Sequence, residues 1–149
     1  MYSRILVPLD GSDTAEAILP DIEELAKKLG AEVHLLQAVP SLSDVVASSH
    51  IAMDVAVAAL EEDKKNAQAY LDGVAERLRA AGVNAVGVVA EGPAGRTILA
   101  HCRHADIQLI AMTSHGRSGI RRTLFGSIAD EVMRESHLPV LMKRLTEDT

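Results

Sequence analysis

The sequence predicts an α/β fold, with one parallel β-sheet between two layers of helices. Short apolar runs typical of buried strands alternate with longer amphipathic segments along all 149 residues. Strands that are joined through helices must run parallel, with helices covering both faces of the sheet. The composition, 48% hydrophobic and 24% charged, is typical of a folded globular chain. The length suits a single domain, expected over residues 1–149.

The first strand is expected at residues 5–7, and a helix follows it. Asp13 and Glu16 have the spacing of a capping box. Apolar residues at positions 15, 18, 19, 22, 25 and 29 mark one helical face, and Gly30 is a typical helix end. Pro20 is expected to kink this helix or to lie in a looser first turn.

The remaining elements continue the alternation of strands and helices. Residues 41–56 have no clear period, which is consistent either with a mobile segment near a site or with a poorly packed helix start. Strands are predicted at 33–39, 83–90, 107–112 and 139–142, and helices at 60–81, from about 94 to 101, and at 127–136.

The segment 113–127 carries the clearest functional signal. It is rich in glycine and arginine, and no acidic residue occurs between Asp106 and Asp130, although the chain has a formal net charge of −6. A basic, glycine-rich connection between a strand and a helix suits an anion, above all a phosphate, because main-chain N–H groups and the helix N-terminus converge there. The alternative is a flexible loop with solvated arginines.

Composition excludes several other classes of function. The acidic balance argues against general polyanion binding. With two tyrosines, one phenylalanine and no tryptophan, the chain lacks a base-stacking platform for single-stranded nucleic acid. Cys102 has no partner for an internal disulfide. We expect a cytoplasmic protein, since we find neither a signal-peptide pattern nor an apolar run of the roughly 18 residues that would suggest a membrane span.

Three motifs connect the chain to a known family. They are Ile-Leu-Val-Pro-Leu-Asp-Gly-Ser at 5–12, Thr-Ser-His-Gly at 113–116 followed after nine residues by Gly126-Ser127, and Pro-Val-Leu at 139–141. With these motifs the chain resembles the universal stress protein family over nearly its whole length. The resemblance implies a Rossmann-like, doubly wound sheet of five parallel strands in the order 3-2-1-4-5, similar to that of the adenine nucleotide alpha hydrolases. It also implies a homodimer paired through strand five, at Pro139, Val140, Leu141 and Met142.

The ATP-binding branch of the family has the motif Gly-x-x-Gly-x9-Gly-Ser/Thr. In this chain Thr113 stands in place of the first glycine, whereas Gly116, Gly126 and Ser127 are retained. We expect binding to survive, because the glycines nearest the phosphates remain. The branched side chain of Thr113 is expected to affect affinity.

The resemblance also implies the residues of a nucleotide site. Asp10 would accept hydrogen bonds from the ribose, and main chain near Ala38 would contact adenine. Arg117 and Ser118 would donate to phosphates, and Ser127 would act as N-cap of the following helix. The expected site comprises Pro8, Leu9, Asp10, Ala38, Val39, Met112, Thr113, Ser114, His115, Gly116, Arg117, Ser118, Gly119, Gly126, Ser127, Ile128 and Ala129.

Some of these residues have simpler explanations. Asp10 could cap the first helix, His115 could orient the loop, and a serine N-cap needs no ligand. We expect no catalytic residue and no protein metal site, although Asp10 could reach a magnesium ion carried by the nucleotide. His101, Cys102 and His104 lie close together, but the sequence shows no second cluster of ligands to complete a metal site.

The leading hypothesis is a nucleotide-dependent stress-response or signalling module that holds ATP, with ADP, AMP or cyclic AMP as other ligands. Residues 41–56 are the candidate moving part. One alternative is a nucleotide-free dimeric scaffold, and another is a slow ATPase in which Asp10 or Asp13 acts. The segment 92–97 lacks the glycine spacing and the lysine of a P-loop, and no residue stands out as a base that would activate water.

Overall fold

Five parallel strands form one sheet in the order β3-β2-β1-β4-β5 in a computed structural model, which describes residues 1–114 and 126–145. The predicted α/β class and the strand order implied by the family resemblance are confirmed. The strands are β1 (Arg4–Pro8), β2 (Glu32–Val39), β3 (Asn84–Glu91), β4 (Leu109–Ser114) and β5 (Val140–Arg144). The helices in the described residues are α1 (Asp13–Glu16), α2 (Leu19–Leu29), α3 (Leu42–Ser49), α4 (Met53–Ala80), α5 (Ala94–His104) and α6 (Gly126–Glu135).

The helix after β1 is divided near Pro20, as its sequence predicts. Pro20 lies in the first turn of α2, where its missing N–H costs no intrahelical hydrogen bond. Gly30 ends α2 in the left-handed conformation, with φ 65°. The capping-box prediction was wrong in its register: the N-cap of α1 is Ser12, whose side chain accepts from the Ala15 amide.

Residues 41–56 are helical over most of their length. Ser41 caps α3, accepting a hydrogen bond from the Asp44 amide, and the long helix α4 begins at Met53 rather than near residue 60. Within α3 no residue is buried, which explains why this segment lacks an apolar period. Of the two interpretations of residues 41–56, the poorly packed helix start therefore agrees better with the structure than the mobile segment.

Two apolar layers enclose the sheet. On one face, Val7, Leu35 and Ile22 belong to a core formed with α2 and α4. On the other, Leu6, Leu36 and residues of α5 and α6 form a second core. Successive side chains of a strand point to opposite faces, so the polar residues of β2 are also divided between the two layers.

The two edges of the sheet are β3 and β5. Val86 on β3 is 38% exposed and Leu141 on β5 is 39% exposed. Ile128 and Met133 of α6 are exposed apolar side chains as well. In the described residues, no helix is both long enough and apolar enough to span a bilayer.

Candidate functional site

The site predicted from sequence lies where the strand order reverses. β1 pairs with β2 on one side and with β4 on the other. Helix α2, which follows β1, and helix α6, which follows β4 in sequence, pack on opposite faces of the sheet. Such a reversal of strand order is where ligands bind in open α/β sheets. Pro8, Ala38 and Ser114 are therefore brought to the same edge, since each lies at or next to the carboxyl end of its strand.

A cavity of about 430 Å³ opens at this edge, between the end of β2 and the middle of α4. Its lining comes from three parts of the chain: the turn after β1, the last residues of β2 with Pro40, and one face of α4. The lining residues are Gly11, Gln37, Ala38, Val39, Pro40, Asp63, Asn66, Ala67 and Tyr70. Of the predicted site residues that the structure describes, Ala38 and Val39 line this cavity.

The α4 wall was missed by the sequence analysis. Asp63, Asn66, Ala67 and Tyr70 have the spacing i, i+3, i+4, i+7, which places them on one face of a helix. This spacing was the signal that could have found them. Asp63 and Asn66 are exposed at the rim, whereas Ala67 is buried.

The turn after β1 is built around Asp10. Its Oδ1 accepts hydrogen bonds from the Ser12 amide, at 2.9 Å, and from the Ser12 hydroxyl, at 2.5 Å. The Ser12 Oγ in turn accepts from the Ala15 amide at 3.1 Å, which caps α1. Asp10 thus supports the cap rather than forming it. Its carboxylate is exposed at the sheet edge next to Gly11 of the cavity wall.

A hydrogen-bonded group connects α1 with α4 beside the cavity. The Tyr70 hydroxyl donates to Glu16 Oε2 at 2.6 Å, and the Arg77 guanidinium donates to Glu16 Oε1 at 3.0 Å. Burial, followed by the hydrogen bond to Glu16 and its charge, raises the pKa of Tyr70 well above its usual value. The phenol is therefore a neutral donor, and it is already used by the protein.

Gln37 has a buried polar atom that the described residues leave unpaired. Its Oε1 atom is buried and has no hydrogen-bond partner in residues 1–114 and 126–145. Gln37 is one of the residues that line the cavity, and the half-buried Ala38 and the buried Val39 follow it in β2. A buried acceptor without a donor is destabilising by about 1–3 kcal/mol, so its presence calls for an explanation.

The end of β4 places two of the predicted residues on opposite faces of the sheet. Thr113 replaces the first motif glycine, and its Oγ1 donates to the Ala15 carbonyl at 3.4 Å. Ser114 is buried, and its hydroxyl donates to the Lys143 carbonyl of β5, also at 3.4 Å. The hydroxyls of both side chains are thus engaged with the protein.

Helix α6 begins at Gly126, one residue before the predicted start. Gly126 has φ 77°, a conformation that favours glycine. Ser127 is exposed together with Ile128, and its predicted role as N-cap stays a prediction. The predicted phosphate contacts of His115, Gly116, Arg117, Ser118 and Gly119 lie outside the described residues.

Several predicted site residues have side chains that belong to the core. These residues are almost fully buried: Leu9, Val39, Met112, Ser114 and Ala129. No group of three or more His, Cys, Asp or Glu side chains that could hold a metal ion occurs in the described parts of the chain.

The chain matches a known protein family and individual relatives over nearly its whole length. Residues 1–144 match the Universal stress protein family. The chain is 30% identical over 148 residues to the universal stress protein YxiE of Bacillus subtilis, covering 97% of this chain and 100% of YxiE.

Solved structures share the fold. The structure of MJ0577, a universal stress protein of Methanocaldococcus jannaschii, superposes with a TM-score of 0.78 at 24% identity, covering 99% of each chain. A universal stress protein from Archaeoglobus fulgidus, solved in complex with dAMP, superposes with a TM-score of 0.68 at 22% identity, covering 95% of this chain and 97% of that one. By the match over residues 1–144, this chain belongs to the universal stress protein family.

Proposed function

We propose that this chain binds an adenine nucleotide, in the first place ATP, and acts as a nucleotide-dependent stress-response module in the cytoplasm. The observation that carries the proposal is the cavity of about 430 Å³ at the carboxyl ends of β1 and β2. Cavities of about 300–1,000 Å³ are typical of small-molecule sites, and ligands of open α/β sheets bind at this edge.

The charges of the edge favour one orientation of the nucleotide. Among the described residues that line the cavity, Asp63 is the one carboxylate, and none is a lysine or an arginine. This environment suits a neutral base and ribose and repels phosphate. The amino end of α6, with Gly126 and the exposed Ser127, supplies amide donors and the positive end of a helix dipole. We therefore place the base against α4 and the phosphates toward α6.

Thr113 is compatible with this orientation. Its side-chain hydroxyl bonds the Ala15 carbonyl, so the branched group is held against α1. We propose that the chain retains the binding mode of the ATP-binding branch despite the missing glycine. The dAMP complex of the Archaeoglobus fulgidus relative supports an adenine ligand for this fold.

We propose little or no intrinsic hydrolysis. Asp10 and Asp13 are the candidate bases for water activation, and Oδ1 of Asp10 already accepts two hydrogen bonds from Ser12. Turnover above background that disappears in Asp10→Ala or Asp13→Ala would favour the slow-ATPase alternative instead.

The binding experiment begins with the purified protein. Denaturation and chromatography identify any nucleotide that is released, and calorimetric titration then compares ATP, ADP, AMP and cyclic AMP. Asn66→Trp fills the rim of the cavity from α4 and is expected to weaken binding at least tenfold. Ala69→Trp is the matched control, because Ala69 is exposed on the same helix outside the cavity. Equal binding by both variants would exclude this site.

A nucleotide-free dimeric scaffold is the second candidate, and Thr113 at the position of the first motif glycine is the observation that favours it. Absence of any bound or titratable nucleotide in the unmodified protein would establish this alternative over the first.

Both candidates include a homodimer through β5. An open strand edge is usually paired or covered, and here the exposed Leu141 lies on that edge. Sedimentation at micromolar concentration is expected to show a dimer that Leu141→Lys converts to monomers. Val86→Lys, at a similarly exposed position of the opposite edge, should leave the dimer intact. The reverse result would move the interface to β3.

A further inference from the structure

We propose that Gln37 selects the base of the nucleotide, by pairing its carboxamide with the adenine edge that carries the 6-amino group. This inference rests on the proposed function and adds a specificity residue to it. In the pairing, Oε1 accepts from the 6-amino group, while Nε2 donates to the adjacent ring nitrogen N7.

The first support is the state of the Gln37 side chain. The structure gives its buried Oε1 no donor in the described residues. Since no hydrogen bond fixes this oxygen, the carboxamide can turn toward the cavity at little energetic cost. A ligand amine would then supply the missing partner and remove the penalty of the unpaired acceptor.

The second support is that the other polar side chains of the cavity are either hydrogen-bonded within the protein or exposed at the rim. The Tyr70 hydroxyl is already committed to Glu16. Asp63 and Asn66 lie on the exposed rim, near solvent rather than in the interior of the cavity. Gln37 is therefore the residue that can read a base at the sheet side of the cavity.

The third support is the chemistry of the carboxamide. A glutamine side chain presents one acceptor beside one donor, which matches the 6-amino group and N7 of adenine. Guanine presents acceptors at both corresponding positions, O6 and N7. Guanine would leave Oε1 unpaired and place it against O6, so the cavity is expected to reject it.

The test compares three nucleotides by calorimetry on the full chain: ATP, GTP and purine riboside 5′-triphosphate, which lacks the 6-amino group. The unmodified protein is expected to bind ATP at least about tenfold more tightly than either analogue, the size of effect expected for one unmet buried hydrogen bond. In Gln37→Met, ATP and the purine analogue should bind with equal affinity. Gln108→Met is the control, because Gln108 precedes β4 at the opposite end of the sheet, where it bonds Ser3.

The outcomes separate this inference from the function on which it rests. If ATP binds but the three nucleotides bind equally to the unmodified protein, the inference is wrong and the proposed function stands. If Gln37→Met keeps the full preference for ATP over the purine analogue, the inference is also wrong. If no nucleotide binds to the unmodified protein, the proposed function itself fails. The comparison of ligands on the unmodified protein requires no variant to fold.

Discussion

Helix α4 meets the sheet in two different ways at neighbouring positions. Gly87 on β3 pairs with Leu35 on β2, and there the helix lies so close that an added Cβ atom would be 2.7 Å from Leu71 Cβ. Two residues farther along, Val89 pairs with Gln37, and the cavity opens between β2 and α4. The sheet and α4 are thus in close contact at Gly87 and separated at Gln37, where the cavity lies between them.

The same contrast holds for polar groups on the two faces of β2. Gln37, toward α4, has an unpaired buried acceptor. His34, on the opposite face, is bonded at both ring nitrogens, to His101 of α5 at 2.9 Å and to Glu32 at 2.6 Å. Polar residues with a structural role are satisfied by the protein, so the unsatisfied one indicates where a ligand is expected.

The largest expected effect on stability comes from adding a side chain where β3 and α4 are in close contact, at Gly87. Gly87→Ala is expected to lower the free energy of unfolding by about 2 kcal/mol, because the new methyl group meets Leu71 close to the main chain of α4, where little can move. Urea denaturation measures the change.

Gly73→Ala is the control for that substitution. Gly73 is exposed in the middle of α4 with no atom near its missing Cβ, so this change should stabilise the protein by about 1 kcal/mol. A neutral Gly87→Ala would show that α4 can move away from the sheet and that the contact does not fix the cavity.

The next prediction concerns the pH dependence of stability at the face of β2 where His34 is hydrogen-bonded to His101. Burial, then the proximity of His34 and His104, lowers the pKa of His101. A base with a lowered pKa in the folded state binds fewer protons there than in the unfolded chain, so its stabilising contribution is present above pH ~6.5 and is lost as the pH falls below it.

The hydrogen bond between the two rings acts in the same direction as burial, which is the main cause of the lowered pKa of His101. The pair can hold one proton and keep its bond, whereas a second proton leaves two donors facing each other. Urea midpoints measured from pH 8 to pH 5 should therefore fall, and His101→Gln should flatten the profile. An unchanged slope in His101→Gln would contradict this account.

A smaller effect of opposite sign is expected at Gln37. Gln37→Met should stabilise the nucleotide-free protein by about 1 kcal/mol, since it removes an unpaired buried acceptor and keeps a side chain of similar length. Gln68→Met should destabilise the protein, because Gln68 Nε2 donates to the Gly87 carbonyl at 3.2 Å. Both midpoints come from the same denaturation assay, and destabilisation by Gln37→Met would indicate that its carboxamide is satisfied in solution.

The smallest effect is expected at Gly95 in α5. An added Cβ there would meet the carboxylate of Glu131 on α6, which is the end of a flexible side chain that can turn away. Gly95→Ala should therefore cost well under the roughly 2 kcal/mol of Gly87→Ala, and in a Glu131→Ala background it should cost nothing. Thermal unfolding of the three variants checks this order. A loss as large as that of Gly87→Ala would show that Glu131 is held in place.

Most of the fold could be predicted from local pattern. Apolar runs and helix-ending glycines such as Gly30 located the strands and α2, because burial and backbone conformation are encoded locally. The strand order depended on the family resemblance, since crossover helices do not determine which strands are neighbours. Helix α3 was missed because it buries no residue and so shows no apolar period.

The candidate site was only half predictable. Motif residues indicated the ends of β1, β2 and β4, but the α4 wall was not recognised. Asp63 and Asn66 are exposed and resemble an ordinary solvated helix face, and their role appears only when α4 crosses the end of β2. Gln37 was read as part of a strand, since nothing local shows that Oε1 lacks a donor.

Glu16 gives the cavity one further property. One carboxylate oxygen is held by Tyr70 and the other by Arg77, so a single side chain joins α1, which follows the Asp10 turn, to the helix on the far side of the opening. The two sides of the entrance are thereby fixed to each other before any ligand arrives. A nucleotide would enter a preorganised site and would lose little affinity to reorganisation of these walls.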